Sequence, residues 1–249
     1  MKKIILCLLI CLFCINTIGC SKKQPSQMNN KKVIAIKIET PPKEKPIMAA
    51  SSNSISSEVP KIQTISNIVF IGDSWMDNYY FKQEFQKNNN TIIAKCGAWA
   101  MHYVKQQISI PIVSNAKLVY IQLGLNDWQT GQIGLTNQSY MKRFLDDIAI
   151  KYPNVTILVG RSAHTGAGYP TMSGYNINPN CDRYSNYVKQ YCDTHCNFKY
   201  IDTTSILEDS NGWLKSDYAD SSTYHLSAYG NQIWFNQINT ILLNELNNI

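Results

Sequence analysis

Four short segments carry the residues that could do chemistry. They are Gly72-Asp73-Ser74, Gly97, Gly124-Leu125-Asn126-Asp127, and the stretch DSSTYHLSAYG over residues 220–230, which contains His225. A serine hydroxyl is a weak nucleophile at its own pKa and needs an adjacent base to take its proton. Beyond residue 64 the imidazoles are His102, His164, His195 and His225. Attack on a carbonyl would build an oxyanion, which requires donors aligned in advance. The Ser74 N–H, the Gly97 N–H and the Asn126 side-chain amide are groups of that kind. Asp73 reads as a cap of the serine turn. Singly, each segment has an ordinary explanation: serine after a strand is a common helix N-cap, and Asn-Asp is common turn chemistry.

The elements that would position these groups follow from hydrophobic pattern and breakers. NIVFIGDS is a buried strand stopped at Gly72, and YYFKQEFQKNNN a short helix ending in asparagines. TIIAKCGAW is a second strand. AMHYVKQQISIPIVS reads as helical up to Pro111, and AKLVYIQLGLND as a third strand. NQSYMKRFLDDIAIKYP is an amphipathic helix closed by Pro153, VTILVG a fourth strand, and residues 181–192 a helix. FKYIDTTSIL is a fifth strand, and SAYGNQIWFNQINTILLNELNN the terminal helix. Strands alternating with helices imply an α/β domain with a parallel sheet, because parallel neighbours need crossover connections. Sites in such sheets lie beyond the carboxyl ends of the strands. All four segments fall there, in order, and that joint placement carries more weight than any one of them.

In that order the segments resemble the blocks of the SGNH (GDSL-type) hydrolases: GDS at the first strand, Gly after the second, GxND after the third, and an Asp/His segment before the last helix. The resemblance covers most of residues 66–249. It implies a three-layer α/β/α sandwich around a mainly parallel five-stranded sheet, flavodoxin-like in layout. It further implies Ser74 as nucleophile, His225 as base, and an oxyanion hole of Ser74, Gly97 and Asn126. One position departs from the pattern. Three residues before the histidine, where the family usually has Asp, stands Ser222. The nearest acids are Asp220 and Asp217, so His225 is oriented either by Asp220, the favoured reading, or by a backbone carbonyl.

The implied activity is a serine esterase working without metal or cofactor on an acylated small molecule or glycan, O-acetyl on carbohydrate being the leading substrate. A short-chain lipase or lysophospholipase and an O-acyltransferase would use the same acyl-enzyme. A catalytically silent glycan-binding protein is the alternative of another class. Trp75, Trp99, Trp128, Tyr79 and Tyr80 cluster beside site residues, either as core and rim packing or as a sugar-contacting wall. The long polar loop RSAHTGAGYPTMSGYNINPN adds Arg161 and His164 as candidate ligand contacts.

The rest of the chain concerns delivery. Residues 1–19 have a lysine-bearing start and an apolar run of about 12 residues, the plan of a signal peptide and short of the ~20 needed to span a bilayer. The Gly19-Cys20 end resembles a bacterial lipobox, with Thr17 where that box usually has Leu, and implies lipidation at Cys20. Residues 20–63, rich in Lys, Ser, Asn and Pro, read as a disordered tether, and residues 64–249 as the hydrolase domain. The protein is therefore expected outside the cell, lipid-anchored to a membrane or secreted. The formal net charge of +6 resides in the signal and tether, since residues 61–249 hold 14 basic and 14 acidic side chains. Nothing in that balance favours nucleic acid. Cys96, Cys181, Cys192 and Cys196 remain for the domain. An exported chain permits disulfides, and a bond between two of the last three is expected, in preference to a metal site at CDTHC.

Overall fold

The structure is a computed structural model and describes residues 65–129, 135–169 and 176–249. The signal, the tether and Cys20 lie outside the described residues, as does the side chain of Trp128. Five strands form one sheet: β1 (Ile68–Gly72), β2 (Thr91–Ala94), β3 (Leu118–Gln122), β4 (Thr156–Gly160) and β5 (Phe198–Ile201). Their order is β2-β1-β3-β4-β5, and every neighbouring pair is parallel. Every residue of β1 and β3 is buried, as expected of central strands covered on both faces. The edge strands β2 and β5 are only partly buried.

The helices are α1 (Tyr79–Phe85), α2 (Ala100–Val104), α3 (Leu125–Gln129), α4 (Leu135–Lys151), α5 (Asn178–Asp193) and α6 (Ala228–Asn247). An aromatic cluster joins α1 and α6 to the sheet. Phe81 stands edge-on to Phe70 of β1 at 5.3 Å, and Phe235 of α6 lies 5.6 Å from Phe85. On α5 the buried residues Cys181, Tyr184, Val188 and Tyr191 recur at helical spacing. The result is the expected α/β sandwich, with its sheet parallel throughout.

Three local expectations change. Helix α2 stops at Val104 and does not run to Pro111, because Gln106 takes a left-handed backbone (φ 56°) and both Gln107 and Ile108 N–H groups return to the His102 carbonyl. Strand β5 ends at Ile201, where Asp202 Oδ1 accepts the Thr204 and Ser205 N–H groups (3.1 and 3.0 Å) and starts a 3₁₀ turn over Ser205–Leu207. The expected disulfide is not formed: Cys96, Cys181, Cys192 and Cys196 are all free. Cys181 and Cys192 lie on the same helix, roughly 16 Å apart at 1.5 Å per residue, far beyond the span of a disulfide.

In this order of strands the chain leaves β1 to one side for β2 and then crosses to the other for β3. The switch point lies at the carboxyl ends of β1 and β3, where Ser74 and Asn126 follow their strands. Such a crevice is the general ligand position of open α/β sheets.

Candidate active site

The turn after β1 is braced from inside the protein. Asp73 is buried; its Oδ1 accepts the Trp75 N–H at 3.0 Å, and its carbonyl accepts the Met76 and Asp77 N–H groups. That leaves Ser74, half-buried, at the apex. Gly72 sits in tight packing, where a Cβ would lie 2.5 Å from Met76 Sδ and 3.1 Å from the Gln122 carbonyl oxygen. Gly97 is required by conformation. Its φ is +72°, and a Cβ would meet no protein atom within 4 Å.

Asn126 stands in the first turn of α3. Its amide donates to the Ala98 carbonyl at 3.0 Å and to Asp73 Oδ2 at 3.3 Å. These bonds tie the turns after β1, β2 and β3 together, and they also occupy both hydrogens of the amide. To serve an oxyanion, Asn126 must give up one of them, and the longer bond to Asp73 is the easier to exchange. Asp127 is fully buried, with Oδ1 accepting the Ala100 N–H at 3.3 Å. Burial pushes the carboxyls of both Asp73 and Asp127 up to about 7. For Asp127 the charge of Asp73 adds to the rise.

His225 arrives from the loop before α6. Its Nε2 lies 2.9 Å from Ser74 Oγ, the geometry in which the hydroxyl donates to a neutral imidazole. Its Nδ1 faces Asp220 Oδ2 at 4.0 Å, too long for a hydrogen bond. Among the described residues no backbone carbonyl bonds to that nitrogen. Burial lowers the His225 pKa below its usual value, and the Asp220 charge opposes part of that drop. The loop is pinned from two sides. The Trp75 indole N–H donates to the Tyr224 carbonyl at 2.9 Å, and the Gly166 N–H donates to the Thr223 carbonyl at 2.6 Å; within the loop the Tyr224 ring lies 4.2 Å from the imidazole.

Ser74, His225 and Asp220 line one cleft of about 290 Å³, together with Asp77, Asn78, Tyr79, Tyr80 and Cys96. A larger groove of about 500 Å³ beside α2 and α4, lined by Tyr103, Phe144 and Ile150 among others, holds none of these groups. The remaining candidates are placed differently from one another. The Trp75 ring is only 3% exposed and stands edge-on to Trp234 at 5.2 Å, so its main contact is with the core and the histidine loop. Trp99 lies against His102 and Tyr140, outside the cleft lining.

Arg161 is also outside the cleft lining. It pairs with Glu208 and with Asp182 (3.0 Å), while buried His164 reaches the Gly212 carbonyl and Asp182. Burial disfavours the Arg161 charge, but its bonds to Glu208 and Asp182 outweigh that and hold its pKa above the ordinary value. This cluster joins the loop after β4 to α5 and the 3₁₀ turn. His195 stacks on Tyr191 at 3.9 Å at the end of α5. Two structural roles went unread in the sequence: the Trp75 bond to Tyr224 and the contacts of Ser222. Nothing in residue type or spacing signals the first, whereas the second was marked by the serine in an acid's place.

A parallel α/β/α sheet bearing a Ser–His pair at its switch point defines the SGNH-hydrolase architecture. The chain belongs to the GDSL-like Lipase/Acylhydrolase family, whose sequence model matches residues 70–233. Solved structures with the same fold include a putative platelet activating factor from Streptococcus pneumonia (TM-score 0.63, 19% identity, covering 73% of this chain and 86% of that one). A GDSL-like lipase from Bacteroides thetaiotaomicron is similar (0.55, 15%, 72% and 88%). So is a variant of an acetyl xylan esterase from Geobacillus stearothermophilus (0.51, 15%, 71% and 94%). None of the curated proteins compared with the chain matches it significantly by sequence.

Proposed function

We propose that the protein is an exported serine esterase that removes acetyl groups from a carbohydrate through an acyl-Ser74 intermediate. The observation that carries this reading is the 2.9 Å contact between Ser74 Oγ and His225 Nε2 in an open cleft. In the proposed cycle Ser74 Oγ attacks the ester carbonyl while its proton passes to Nε2. The oxyanion is received by the Ser74 and Gly97 N–H groups and by the Asn126 amide released from Asp73. The imidazolium then gives its proton to the departing alcohol oxygen. A water molecule, deprotonated by the same nitrogen, cleaves the acyl-enzyme. The Asp220 carboxylate balances the imidazolium charge. These steps require no cofactor.

The substrate class rests on the cleft. Its volume of about 290 Å³ suits a short acyl group. Its rim carries Tyr79 and Tyr80, 71% and 46% exposed, beside the polar Asp77 and Asn78. Aromatic faces flanked by hydrogen-bonding groups suit a sugar ring better than an alkyl chain. The presence of an acetyl xylan esterase among the solved structures sharing the fold supports this reading. Export and a lipid anchor at Cys20 are proposed from the signal sequence alone.

The test is acetate release from a panel of acetylated glycans and from longer acyl esters, using wild type and Ser74→Ala, on membrane and cytosolic fractions of the producing cell. We expect membrane-associated acetate release, lost in Ser74→Ala together with fluorophosphonate labelling. Equal residual turnover by both proteins would sink the serine mechanism. Preference for long acyl chains would sink the substrate class, and cytosolic activity would sink export.

A further inference from the structure

Ser222 stands three residues before His225, where the family pattern has its acid. A hydroxyl there cannot balance an imidazolium, but its contacts indicate another use. The Ser222 N–H donates to Asp220 Oδ1 at 2.8 Å, and the Ser222 hydroxyl donates to the same oxygen. That hydroxyl oxygen also accepts the His225 N–H at 3.2 Å. The segment closes on itself: the Asp220 N–H donates to the His225 carbonyl at 2.9 Å and the Thr223 N–H to the Asp220 carbonyl at 3.1 Å, with Thr223 in the left-handed region (φ 63°). One carboxylate oxygen is therefore fixed by two donors. The other, Oδ2, is turned toward His225 Nδ1.

We propose that Ser222 is a positioning residue that grips one oxygen of the Asp220 carboxylate so that the other is held against the imidazole of His225. The proposal rests on the Ser74–His225 reading above and assigns how that pair is supported. The Asp220 side chain is 39% exposed; without a partner it would sample several rotamers in water, at a cost in preorganisation. The Ser222 hydroxyl removes that freedom and, through the His225 N–H, fixes the backbone of the base as well. When the Ser74 proton reaches Nε2, the new positive charge draws Oδ2 from 4.0 Å toward hydrogen-bond distance of the Nδ1 proton. Relative to the family pattern the acid stands two residues earlier in the loop, and the serine at the pattern's acid position acts as its bracket.

The other titratable groups lining the cleft with His225 are Asp77, Tyr79, Tyr80 and Cys96. Asp77 is committed to Lys82 and the Cys96 N–H, and Tyr224 packs on the ring from its own loop. Asp220 is thus the one acid in the lining left to face Nδ1.

The test is a double-mutant cycle on the full chain with p-nitrophenyl acetate: wild type, Ser222→Ala, Asp220→Ala and the double variant, with Ser222→Thr as the conservative control. Expected are a fall in kcat of about ten- to a hundredfold for Ser222→Ala at unchanged KM, and an acid limb of the rate profile moved to lower pH. Retention within about threefold is expected for Ser222→Thr, with the double variant no slower than Asp220→Ala. A Ser222→Ala rate within about twofold of wild type, or losses that multiply in the double variant, would overturn the proposal. Should Ser222→Ala fail to fold, Ser222→Cys, which keeps the volume but donates weakly, is read the same way. Failure of the underlying mechanism shows separately, as turnover surviving in Ser74→Ala.

Discussion

Ser74 and His225 are held by two different kinds of structure. Ser74 follows a fully buried central strand, and the groups around it are fixed by backbone and by buried side chains: Asp73 caps the turn, Gly97 bends the neighbouring one, and Asn126 binds three strand ends together. His225 has no strand beneath it. It rides on a loop placed by an indole N–H from Trp75, a backbone N–H from Gly166, and the Ser222–Asp220 contacts. The serine side is therefore preorganised by the sheet, and the histidine side by a few side-chain bonds. Trp75 links the two, since it is adjacent to Ser74 in sequence and bonds to Tyr224, the neighbour of His225.

Variants can break that contrast. The largest effect after loss of the nucleophile itself is expected for Asn126→Ala, which removes an oxyanion donor and the tie between Ala98 and Asp73. We expect kcat to fall about 10²- to 10³-fold, with little change in KM, in steady-state hydrolysis of a short ester. A fall below about tenfold would mean that Asn126 keeps its bonds to Ala98 and Asp73 throughout the reaction. A smaller effect is expected for Trp75→Phe, which keeps an aromatic ring against Trp234 and removes the bond to the Tyr224 carbonyl. We expect kcat about tenfold lower with fluorophosphonate labelling of Ser74 still complete, because only the base is displaced. An equal loss of labelling amplitude would show that the two sides are not separable.

The same contrast explains what could be read without a structure. The serine side was legible because strand, glycine and turn chemistry are local: IVFIG is an apolar run ended by Gly72, and Gly97 and Asn126 follow the next two strands in order. The histidine loop was legible only as a histidine near an acid. Its supports come from Trp75 and Gly166, distant in sequence, and from a turn whose shape depends on Thr223 at positive φ. Early termination of α2 at Val104 was hidden for a similar reason, since Gln106 takes a left-handed backbone and glutamine carries no preference for it. Arg161 suited ligand binding by its place after β4, and only the structure reveals Glu208 and Asp182 around it.

The two sides also titrate in opposite senses, and that supplies the finest test of their separation. The base must be neutral to accept the Ser74 proton. Burial lowers the His225 pKa, so the acid limb of kcat/KM has its midpoint below the ordinary imidazole value of about 6.5, with activity rising as pH rises through it. On the serine side, burial raises Asp73 to about 7, and Asp127 titrates beside it, so the two behave as a pair. Below that value Asp73 is neutral and yields the Asn126 amide readily. Above it, a carboxylate holds the amide more firmly and opposes the nascent oxyanion, so the rate is expected to decline as pH passes about 7. Asp73→Asn keeps an acceptor for the Trp75 N–H and removes the titration. Its profile should keep the acid limb, which belongs to the histidine loop, and lose the upper one. A wild-type profile flat from about 7 to 9 would show that Asp73 stays in one protonation state across that range and that Asn126 is not governed by it.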